Sequence, residues 1–521
     1  MSARGVSACS SCGASLTVRF FSAPAAPADM WRSLQPKLRP AARSPAAPPG
    51  GRRGLSTGTP LRSGFFKVTT ADLEAQLSSM RRKAVEALPG SGWSPLPVDS
   101  ALPPENTDIV VVGGGVVGWS VAYWLRKKSR VRVLVVERDL TYSRASTVLS
   151  AGGIRQQFSL PENIHLSLAS AHFLKDINSH LGVLDQDPVD LQFNQGGYLF
   201  LANEKQAPVM EENYTAQRAA GAQVCLLSAA QLKQRFPWIS TEGVALASYG
   251  LENEGWFDPW TLLSAFRRKA LSMGVQQCSG EVTGFNYSIN AWTSEDGEPI
   301  RVRRIRSVQV QMPSSLQKQP VECTLVVNAA GAFSARLLEM LGVGAGMEGV
   351  PLPVEPRKRF VFVVHCPDGP GLDSPFLIDQ SGVYFRREGL GGSYIAGASP
   401  EEADEPDVRD LEVDHRFFED RVWPGLAARV PAFEKLKVTS SWAGFYDYNT
   451  LDQNGIVGLH PLAANMYLAT GFSGHGLQQA PAVGRAVAEL VLDGGFRTLD
   501  LRRFGFTRIL QQKPLMERNI V

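Results

Sequence analysis

The amino-acid sequence predicts an α/β fold that combines a doubly wound parallel sheet with a second, antiparallel sheet. A buried strand at residues 109–112 runs into a glycine turn, a helix and a second strand, which is the unit from which parallel sheets are built. Two further apolar strands, in residues 325–331 and 466–476, also end in small-residue turns. Short strand-like stretches within residues 359–396 follow one another without long helices, which is typical of an antiparallel sheet.

The first unit carries the glycine pattern G-x-G-x-x-G at Gly113, Gly115 and Gly118. Its second strand ends on the acidic residue Glu137, 19 positions beyond the last of these glycines. Strand, glycines, helix, strand and acid are therefore in the register of a Rossmann-like dinucleotide-binding site. The first glycine permits the tight turn, the second lets the backbone approach a pyrophosphate, and the third brings the helix close to the strand.

The same unit indicates which dinucleotide binds. The N-terminus of the helix, at Val116 and Val117, presents unpaired N–H groups and the positive end of the helix dipole to the pyrophosphate. Glu137 is placed to accept hydrogen bonds from ribose hydroxyls and would repel a phosphate there, which favours FAD or NAD over NADP. Arg138 beside it leaves NADP open.

Charge is unevenly distributed along the 521 residues. Residues 1–67 contain ten Arg or Lys residues and a single acid, Asp29, which leaves 43 basic and 49 acidic residues in the rest of the chain. This mildly acidic body argues against nucleic-acid binding. The leader is rich in Arg, Ser, Ala and Pro, which is typical of a mitochondrial transit peptide, so we predict import into the matrix. Met30 begins a stretch that could itself open a presequence, and the cleavage site stays open.

Cysteines and apolar segments exclude two further classes of protein. The six cysteines are scattered, which suits a reducing compartment, and the Cys9 and Cys12 pair falls in the leader, so neither a disulfide scaffold nor a metal site is expected. Residues 109–125 are barely long enough to span a bilayer, contain four glycines and are explained by the strand, turn and helix. No membrane-spanning helix is expected, and any association with the inner membrane would be peripheral.

The order of elements divides the chain into alternating segments. We predict a leader at residues 1–67, a short helix with a Pro- and Gly-rich linker at 68–107, a nucleotide-binding domain made of 108–185, 256–345 and 441–521, and a substrate domain made of 186–255 and 346–440. Within them, helices are predicted at about 161–179, 205–220 and 261–273, and strands at 194–202, 275–282 and 382–386.

Three turns, taken together, carry a family resemblance. The opening glycine turn, Asn328-Ala-Ala-Gly331 and Gly471-Phe-Ser-Gly-His-Gly476 occur in the order used by the group of D-amino-acid oxidase, sarcosine oxidase and dimethylglycine dehydrogenase. The chain resembles this group from about residue 108 to about residue 495. NAD dehydrogenases have the first turn and lack the last, so the resemblance implies FAD and a D-amino-acid oxidase-like fold.

Four further stretches resemble a narrower branch of that group. They are Val354-Glu-Pro-Arg-Lys-Arg359, Tyr384-Phe-Arg-Arg-Glu-Gly389, Leu411-Glu-Val-Asp-His415 and the segment Ala469 to Pro481. The branch is mitochondrial and acts in the assembly of respiratory complex I. The resemblance therefore implies complex I subunits or assembly intermediates as partners.

By resemblance to this group, all three turns and the loop after Glu137 contribute to the FAD site. Val282 would meet the adenine through its backbone, and the last turn would lie at the pyrimidine edge of the flavin, where a helix N-terminus stabilises the reduced ring. For His475, two roles at the flavin are open. Either its backbone alone contributes to the site, or its side chain has a function as well. The residues expected around FAD are Gly113, Gly115, Val116, Val117, Gly118, Glu137, Arg138, Ser143, Ser146, Thr147, Val282, Gly331, Gly474, His475, Gly476 and Leu477.

The chain departs from the amine-oxidising relatives at their covalent anchors and lysines. Relatives similar to dimethylglycine dehydrogenase anchor FAD on the His of a Trp-His pair, where this chain has Val148 and Leu149. Relatives similar to sarcosine oxidase use a cysteine, where this chain has Phe445. FAD is therefore expected to bind non-covalently. The lysines that promote oxygen reaction and bind substrate carboxylate fall near Ile395 and Gln478, so fast oxidase activity is not expected.

Three side chains are candidates for substrate contact in the catalytic site. Tyr384 and Arg386 lie on a strand that faces the flavin in relatives, and Arg386 or Arg155 could clamp a carboxylate through paired hydrogen bonds. The alternative for Arg386 is a surface salt-bridge cluster with Arg387 and Glu388.

Two functions of different class follow from the resemblance. One is a matrix dehydrogenase that transfers hydride from a C–H bond of an amino acid or secondary amine to flavin N5, which requires positioning more than a strong base. The other is an assembly factor that keeps FAD as a folding ligand or redox sensor, since a ligand bound only to the native state stabilises it without turnover. The resemblance favours assembly as the biological role, and the sequence allows both.

Overall fold

The computed structural model describes residues 102–293, 299–313, 315, 317–344 and 349–518. The transit peptide, the Cys9 and Cys12 pair, the short helix and most of the linker were predicted for residues outside this described part. None of the helices in the described part is long and apolar enough to cross a bilayer.

The described strands, in chain order, are β1 Asn106–Val112, β2 Val133–Glu137, β3 Gly153–Ile154, β4 Tyr198–Ala202, β5 Val224–Ser228, β6 Leu246–Gly250, β7 Gly255–Trp256, β8 Gln276–Ser279, β9 Glu281–Thr293, β10 Pro299–Gln311, β11 Lys318–Asn328, β12 Val354–His365, β13 Phe376–Ile378, β14 Tyr384–Glu388, β15 Ser393–Gly397, β16 Lys437–Asn449, β17 Ile456–Leu459 and β18 Met466–Thr470.

The described α-helices are α1 Val116–Lys128, α2 Pro161–Lys175, α3 Ile177–Leu181, α4 Ala207–Ala219, α5 Ala229–Arg235, α6 Pro259–Ser272, α7 Ser334–Glu339, α8 His415–Phe417, α9 Trp423–Arg429, α10 Gly476–Asp493 and α11 Thr507–Leu510. A π-helical turn at Phe418–Val422 joins α8 to α9, and 3-10 turns occur at Gly331–Phe333, Glu402–Asp404, Pro431–Lys435 and Arg502–Phe504.

The first sheet has the predicted Rossmann-like core. Its strand order is β17-β18-β11-β1-β2-β8, and β1 pairs in parallel with both β2 and β11. The central strands are apolar because both of their faces are covered, by α1 and α10 on one side and by α7 and the β9–β10 hairpin on the other. The carboxyl ends of β1, β11 and β18 therefore meet at one edge, which brings the three predicted turns together.

The second sheet is the predicted antiparallel one. Its order is β16-β12-β15-β14-β13-β4-β6-β5, with all neighbours antiparallel except the parallel pair β13 and β4. An apolar core that includes Phe362, Phe385 and Phe433 packs against it. The strand β16 pairs with β12 from Val354↔Asn449 to His365↔Lys437, so this sheet continues past the boundary that the sequence placed between residues 440 and 441. Both sheets belong to one compact unit.

Several predicted elements differ from the observed ones at their ends. The helix predicted at 161–179 ends at Lys175, and a separate helix begins at Ile177. The strand predicted at 275–282 divides at Gly280, because β8 stays in the parallel sheet while β9 turns back to pair with β10. The strand predicted at 382–386 is β14, which begins at Tyr384.

Candidate functional site

A cavity of about 380 Å³ opens at the carboxyl edge of the first sheet and extends to the face of the second. Its walls come from all three predicted turns and from β12, β13, β14 and β16. The sequence-predicted residues that line it are Gly113, Gly115, Val116, Val117, Glu137, Arg138, Ser146, Thr147, Arg155, Val282, Gly331, Tyr384, Gly474, His475, Gly476 and Leu477. The structure thus brings most of the predicted site into one cavity.

The first glycine turn has the geometry that the sequence predicts. Gly113 has a φ of +102°, and a Cβ there would lie 2.4 Å from the carbonyl oxygen of Ala329. A Cβ on Gly118 would lie 1.9 Å from the carbonyl oxygen of Gly113, so this glycine sets the helix-to-strand distance from outside the cavity lining. A Cβ on Gly115 would meet only the hydroxyl of Thr147, at 3.5 Å, which leaves this backbone accessible to a ligand.

Polar groups around this turn suit a dinucleotide. The helix α1 has no side-chain cap and no acidic residue in its first turn. Thr147 Oγ1 accepts a hydrogen bond from the N–H of Val116 (3.2 Å). Glu137 Oε2 accepts one from the N–H of Gly114 (2.7 Å), which fixes the carboxylate at the end of β2. An anion is therefore favoured at the helix N-terminus and a hydroxyl donor beside Glu137.

The last turn adds a second helix N-terminus. Gly471, Ser473 and Gly474 have φ values of +71°, +47° and +87°. A Cβ on Gly474 would lie 2.5 Å from the ring of Tyr446. The helix α10 then begins at Gly476 without a side-chain cap or an acidic residue in its first turn. Two uncapped helix N-termini thus face one cavity.

The carboxylate of Asp447, which is partly buried, holds the last turn in place. Asp447 Oδ2 accepts a hydrogen bond from the N–H of Phe472 (3.0 Å), and the carbonyl of Asp447 accepts one from Ser473 (3.1 Å). Burial raises the pKa of Asp447 to about 6, against the opposing effect of backbone N–H groups of the turn. Trp124 of α1 donates to the carbonyl of Pro481 in α10 (2.9 Å), which ties the two helices together.

Arg155 and His475 form a buried pair in the lining of the cavity. Arg155 is 3% exposed and its guanidinium lies over the ring of Phe158 (4.2 Å). Arg155 Nη2 is 3.0 Å from His475 Nε2. Because arginine only donates, Nε2 is the acceptor and the proton of His475 resides on Nδ1. Burial and the guanidinium lower the pKa of His475 to about 3, so this side chain is neutral and does not titrate near neutral pH.

Backbone contacts fix Arg155 further. Its N–H donates to Gln478 Oε1 (2.8 Å), and its Nη1 donates to the carbonyl of Gln157 (2.5 Å). Gln478, at the position where some relatives have a lysine, therefore orients the arginine segment. The side chain of His475 also has a role, since it accepts from the guanidinium.

An aromatic wall lines the same cavity as this pair. The rings of Tyr198 and Phe376 stack at 4.3 Å between centroids, and Phe376 lies 5.8 Å from the ring of Tyr384. Space for both hydroxyls depends on glycine, because a Cβ on Gly153 or Gly397 would lie 1.7 Å from the Tyr198 oxygen or 2.5 Å from the Tyr384 oxygen. Burial raises the pKa of Tyr384 to about 12, so its hydroxyl stays protonated.

A second arginine, which the sequence analysis did not single out, lines the cavity. Arg359 donates to both carboxylate oxygens of Glu405 (2.8 and 2.9 Å) and lies 4.9 Å from the ring of Tyr446. Its buried Nε has no hydrogen-bond partner in the described part of the chain. The sequence contained a signal for this arginine. Arg359 and Val361 are two residues apart on one strand, so their side chains share the face that lines the cavity.

Two predicted residues are not where the sequence placed them. Arg386 does not line the cavity, because its Nε donates to the carbonyl of Ala151 (2.7 Å) and its Nη1 binds Glu388 (2.5 Å). It does not act as the expected carboxylate clamp, and the ion pair with Glu388 that the alternative predicted is present, although the guanidinium itself is buried. Ser143 also lies outside the lining, since its hydroxyl donates to Asp139 Oδ2 (2.7 Å) at an exposed position.

The positions of the covalent anchors and lysines can also be located. Leu149 and Phe445 line the cavity, whereas Ile395 is buried in β15. The lining described for this cavity contains five arginines and no lysine. Within the described residues there is also no group of three or more His, Cys, Asp or Glu side chains suited to a metal ion.

The chain is similar to known flavoproteins in sequence and in structure. The family described as FAD dependent oxidoreductase matches residues 108–490. FAD-dependent oxidoreductase domain-containing protein 1 of Xenopus laevis is 63% identical over 86% of this chain and 92% of its own length. The protein of the same name from Bos taurus is 58% identical over 90% of this chain and 97% of its own. The crystal structure of L-proline dehydrogenase from P. horikoshii superposes with a TM-score of 0.66 at 27% identity, over 79% of this chain and all of that one.

Proposed function

The chain belongs to the FAD dependent oxidoreductase family and uses FAD, and from this premise we propose that it is a dehydrogenase of a small amino acid or secondary amine. One observation carries the proposal. The cavity is lined by two helix N-termini, by the buried guanidinium of Arg155, and by an aromatic wall formed by Tyr198, Phe376 and Tyr384. A small molecule with a carboxylate and an apolar part fits these groups.

The residues present fit FAD. The first turn and the N-terminus of α1 would hold the pyrophosphate, Glu137 the ribose hydroxyls, and the turn at Gly474 and Gly476 the flavin end. Leu149 and Phe445 offer no nucleophile at the positions where relatives form a covalent link, so we propose non-covalent binding. When bound, FAD supplies a hydride acceptor.

The side chains of this protein would orient the substrate and exclude water. Arg155 binds the carboxylate, and His475 keeps the guanidinium aligned by accepting at Nε2. Tyr198 and Tyr384 close the aromatic wall with protonated hydroxyls, since burial raises the pKa of both. Positioning of this kind is the main requirement for hydride transfer from a C–H bond. The relative named for L-proline acts on an amino acid whose nitrogen is a secondary amine, which supports this substrate class.

The enzymatic proposal is tested by anaerobic mixing of the purified holoprotein with a panel of amino acids and N-methyl amines. Loss of the oxidised flavin absorbance with one of them is expected. Arg155→Met should abolish this bleaching while FAD stays bound, and Arg132→Met, at a surface pair with Asp108, should not. Failure of the whole panel to bleach the wild-type flavin contradicts the proposal.

We further propose that the biological role of the protein is in the assembly of respiratory complex I, in the mitochondrial matrix and peripherally at the inner membrane. The resemblance of four separate stretches to that branch and the basic leader composition support it. The mildly acidic body gives no support to a nucleic-acid partner. FAD then contributes to stability, because a ligand of the native state shifts the folding equilibrium.

A complementation experiment separates the two roles. Cells that lack the protein receive wild type, Arg155→Met or Arg132→Met, and assembled complex I is measured by native electrophoresis. Rescue by all three supports assembly without turnover, and rescue by all but Arg155→Met indicates that the site chemistry is needed. Localisation of the wild-type protein outside mitochondria would contradict the assembly role. So would a normal amount of assembled complex I in cells that lack the protein.

A further inference from the structure

Glu254 is a buried carboxylate behind the substrate end of the cavity. It is 1% exposed and does not belong to the cavity lining. A Cβ on Gly250 would lie 1.8 Å from a carboxylate oxygen of Glu254, so the chain closes tightly around this group. A buried carboxylate is costly unless donors and a positive charge hold it. The groups that hold it therefore indicate its role.

Its hydrogen bonds go to the segment that carries Arg155. Glu254 Oε1 accepts from the backbone N–H of Gln156 (2.7 Å), and Oε2 accepts from the side-chain amide of Gln157 (2.8 Å). The side-chain amide of Gln156 donates to the carbonyl of Asn253, beside Glu254 (2.9 Å). These three hydrogen bonds fasten the backbone that follows Arg155.

The same contacts reach the aromatic wall. The Gln157 amide also donates to the carbonyl of Tyr198 (3.1 Å) and accepts from the hydroxyl of Ser248 (2.6 Å). The segment is thereby joined to β4 and β6 of the second sheet. Glu254 thus connects the guanidinium to the wall.

We propose that Glu254 is the positioning residue of Arg155, which fixes the backbone that presents the guanidinium and supplies a counter-charge that sets the affinity of the site for a carboxylate ligand. The proposal rests on the proposed function in one respect, that a carboxylate binds at Arg155. The proposal goes beyond the proposed function, because it assigns control of carboxylate binding to a residue that does not line the cavity.

The charges that face Glu254 give the expected pH dependence. Arg155 is positive, and burial and the guanidinium keep His475 neutral by lowering its pKa to about 3. Burial raises the pKa of Glu254 to about 7, against the effects of Gln157, Gln156 and Arg155. The charge of an ionised Glu254 partly offsets the charge of the guanidinium that the carboxylate ligand binds. The ligand should therefore bind more tightly when Glu254 is protonated.

Other titratable side chains lie near this arginine and its partner His475, and one of them, Asp447, has a pKa raised by burial to about 6. Tyr198 and Tyr446 stay neutral because burial raises the pKa of both hydroxyls. The Glu517 carboxylate also contributes a negative charge at Arg155, and it accepts from the N–H groups of Ser159 and Leu160 (2.6 and 3.1 Å). The Glu254→Gln variant therefore isolates the part of the pH dependence of ligand binding that comes from Glu254.

Benzoate, a small aromatic carboxylate, tests the proposal by its effect on the flavin spectrum of the holoprotein. For wild type, we expect the affinity to fall at least about five-fold between roughly pH 6 and pH 8, the lower end of ordinary coupling. Glu254→Gln should keep the tighter affinity throughout this range. Glu254→Ala should bind about ten-fold more weakly at each pH, because the arginine segment loses its anchor.

Control variants keep the test decisive. Glu252→Gln, at an exposed position two residues earlier, should behave as wild type. Glu254→Asp should restore a pH dependence, and the FAD content of each variant reports folding. If Glu254→Gln and Glu254→Ala both bind benzoate with the affinity and pH profile of wild type, the role of Glu254 is overturned and the carboxylate site itself is not. Absence of benzoate binding by wild type would instead overturn the carboxylate site of the proposed function.

Discussion

The contact between α1 and β1 at Gly118 gives the sharpest test of the cofactor site. In Gly118→Ala, the new Cβ would lie 1.9 Å from the carbonyl oxygen of Gly113, whereas real Cβ contacts do not fall below 3.0 Å. Because the clashing atom belongs to the backbone of Gly113, the N-terminus of α1 must move away by about the difference between 1.9 and 3.0 Å. This displacement acts on the turn that is proposed to hold the pyrophosphate.

The magnitude follows from two opposing effects. Alanine is a better helix former than glycine by about 1 kcal/mol, so without the clash the substitution would stabilise α1. Overpacking in a well-packed core costs about 1–3 kcal/mol, and here it acts on unyielding backbone. We therefore expect net destabilisation of about 1–2 kcal/mol and an FAD dissociation constant raised at least about ten-fold, which corresponds to about 1.4 kcal/mol.

The measurements are thermal unfolding of the apoprotein and quenching of FAD fluorescence on titration. Gly284→Ala is the matched control, because a Cβ there meets nothing within 4 Å, and it should leave FAD affinity unchanged without lowering stability. A Gly118→Ala protein as stable as wild type, or more stable, with unchanged FAD affinity would refute the reasoning.

Three further predictions concern charged groups. Glu137→Ala should weaken FAD binding by about ten- to a hundred-fold, as expected for hydrogen bonds to a charged group, measured by the same fluorescence titration; unchanged affinity would contradict the ribose contact. Burial raises the pKa of Glu254 from 4.5 to about 7, so wild type should lose roughly 3 kcal/mol of stability as pH rises from below 4.5 through 7, at about 1.4 kcal/mol per pKa unit. In Glu254→Gln, denaturant titrations at several pH values should show that fall removed, and an identical fall would refute the assignment. Arg508→Met should destabilise the fold by about 3–5 kcal/mol in urea, because it leaves Asp452 buried without its partner at 2.6 Å; a loss below about 1 kcal/mol would show that this pair is not needed.

The Rossmann-like half could be predicted from local sequence because each of its requirements is local. A tight turn, a close helix and a carboxylate at a strand end depend on Gly113, Gly118 and Glu137, which lie within one unit of the chain. The three turns then meet without further information, because the carboxyl ends of parallel strands share one edge. The fold class was predicted correctly for this reason, whereas FAD was predicted correctly from the family resemblance that the last turn carries.

The arrangement of the substrate end of the cavity depends on which neighbouring group each charged side chain binds. Tyr384 and Arg386 were expected at the cavity because their strand faces the flavin in relatives, but Glu388 and the carbonyl of Ala151 hold Arg386 elsewhere. Glu254 acts on Arg155 across 97 to 98 residues of chain through Gln156 and Gln157, and no local pattern marks such a contact. Long-range pairing of polar groups is therefore the part that sequence reasoning could not supply.

The visible absorption spectrum of the purified protein tests the central claim most directly. The account predicts a flavin spectrum with one FAD per chain, and release of that FAD into the supernatant on acid precipitation because no residue at the anchor positions forms a covalent bond. A colourless protein that takes up no added FAD would contradict the convergence of the three turns on a single cofactor. A flavin that stays with the acid precipitate would contradict the non-covalent site.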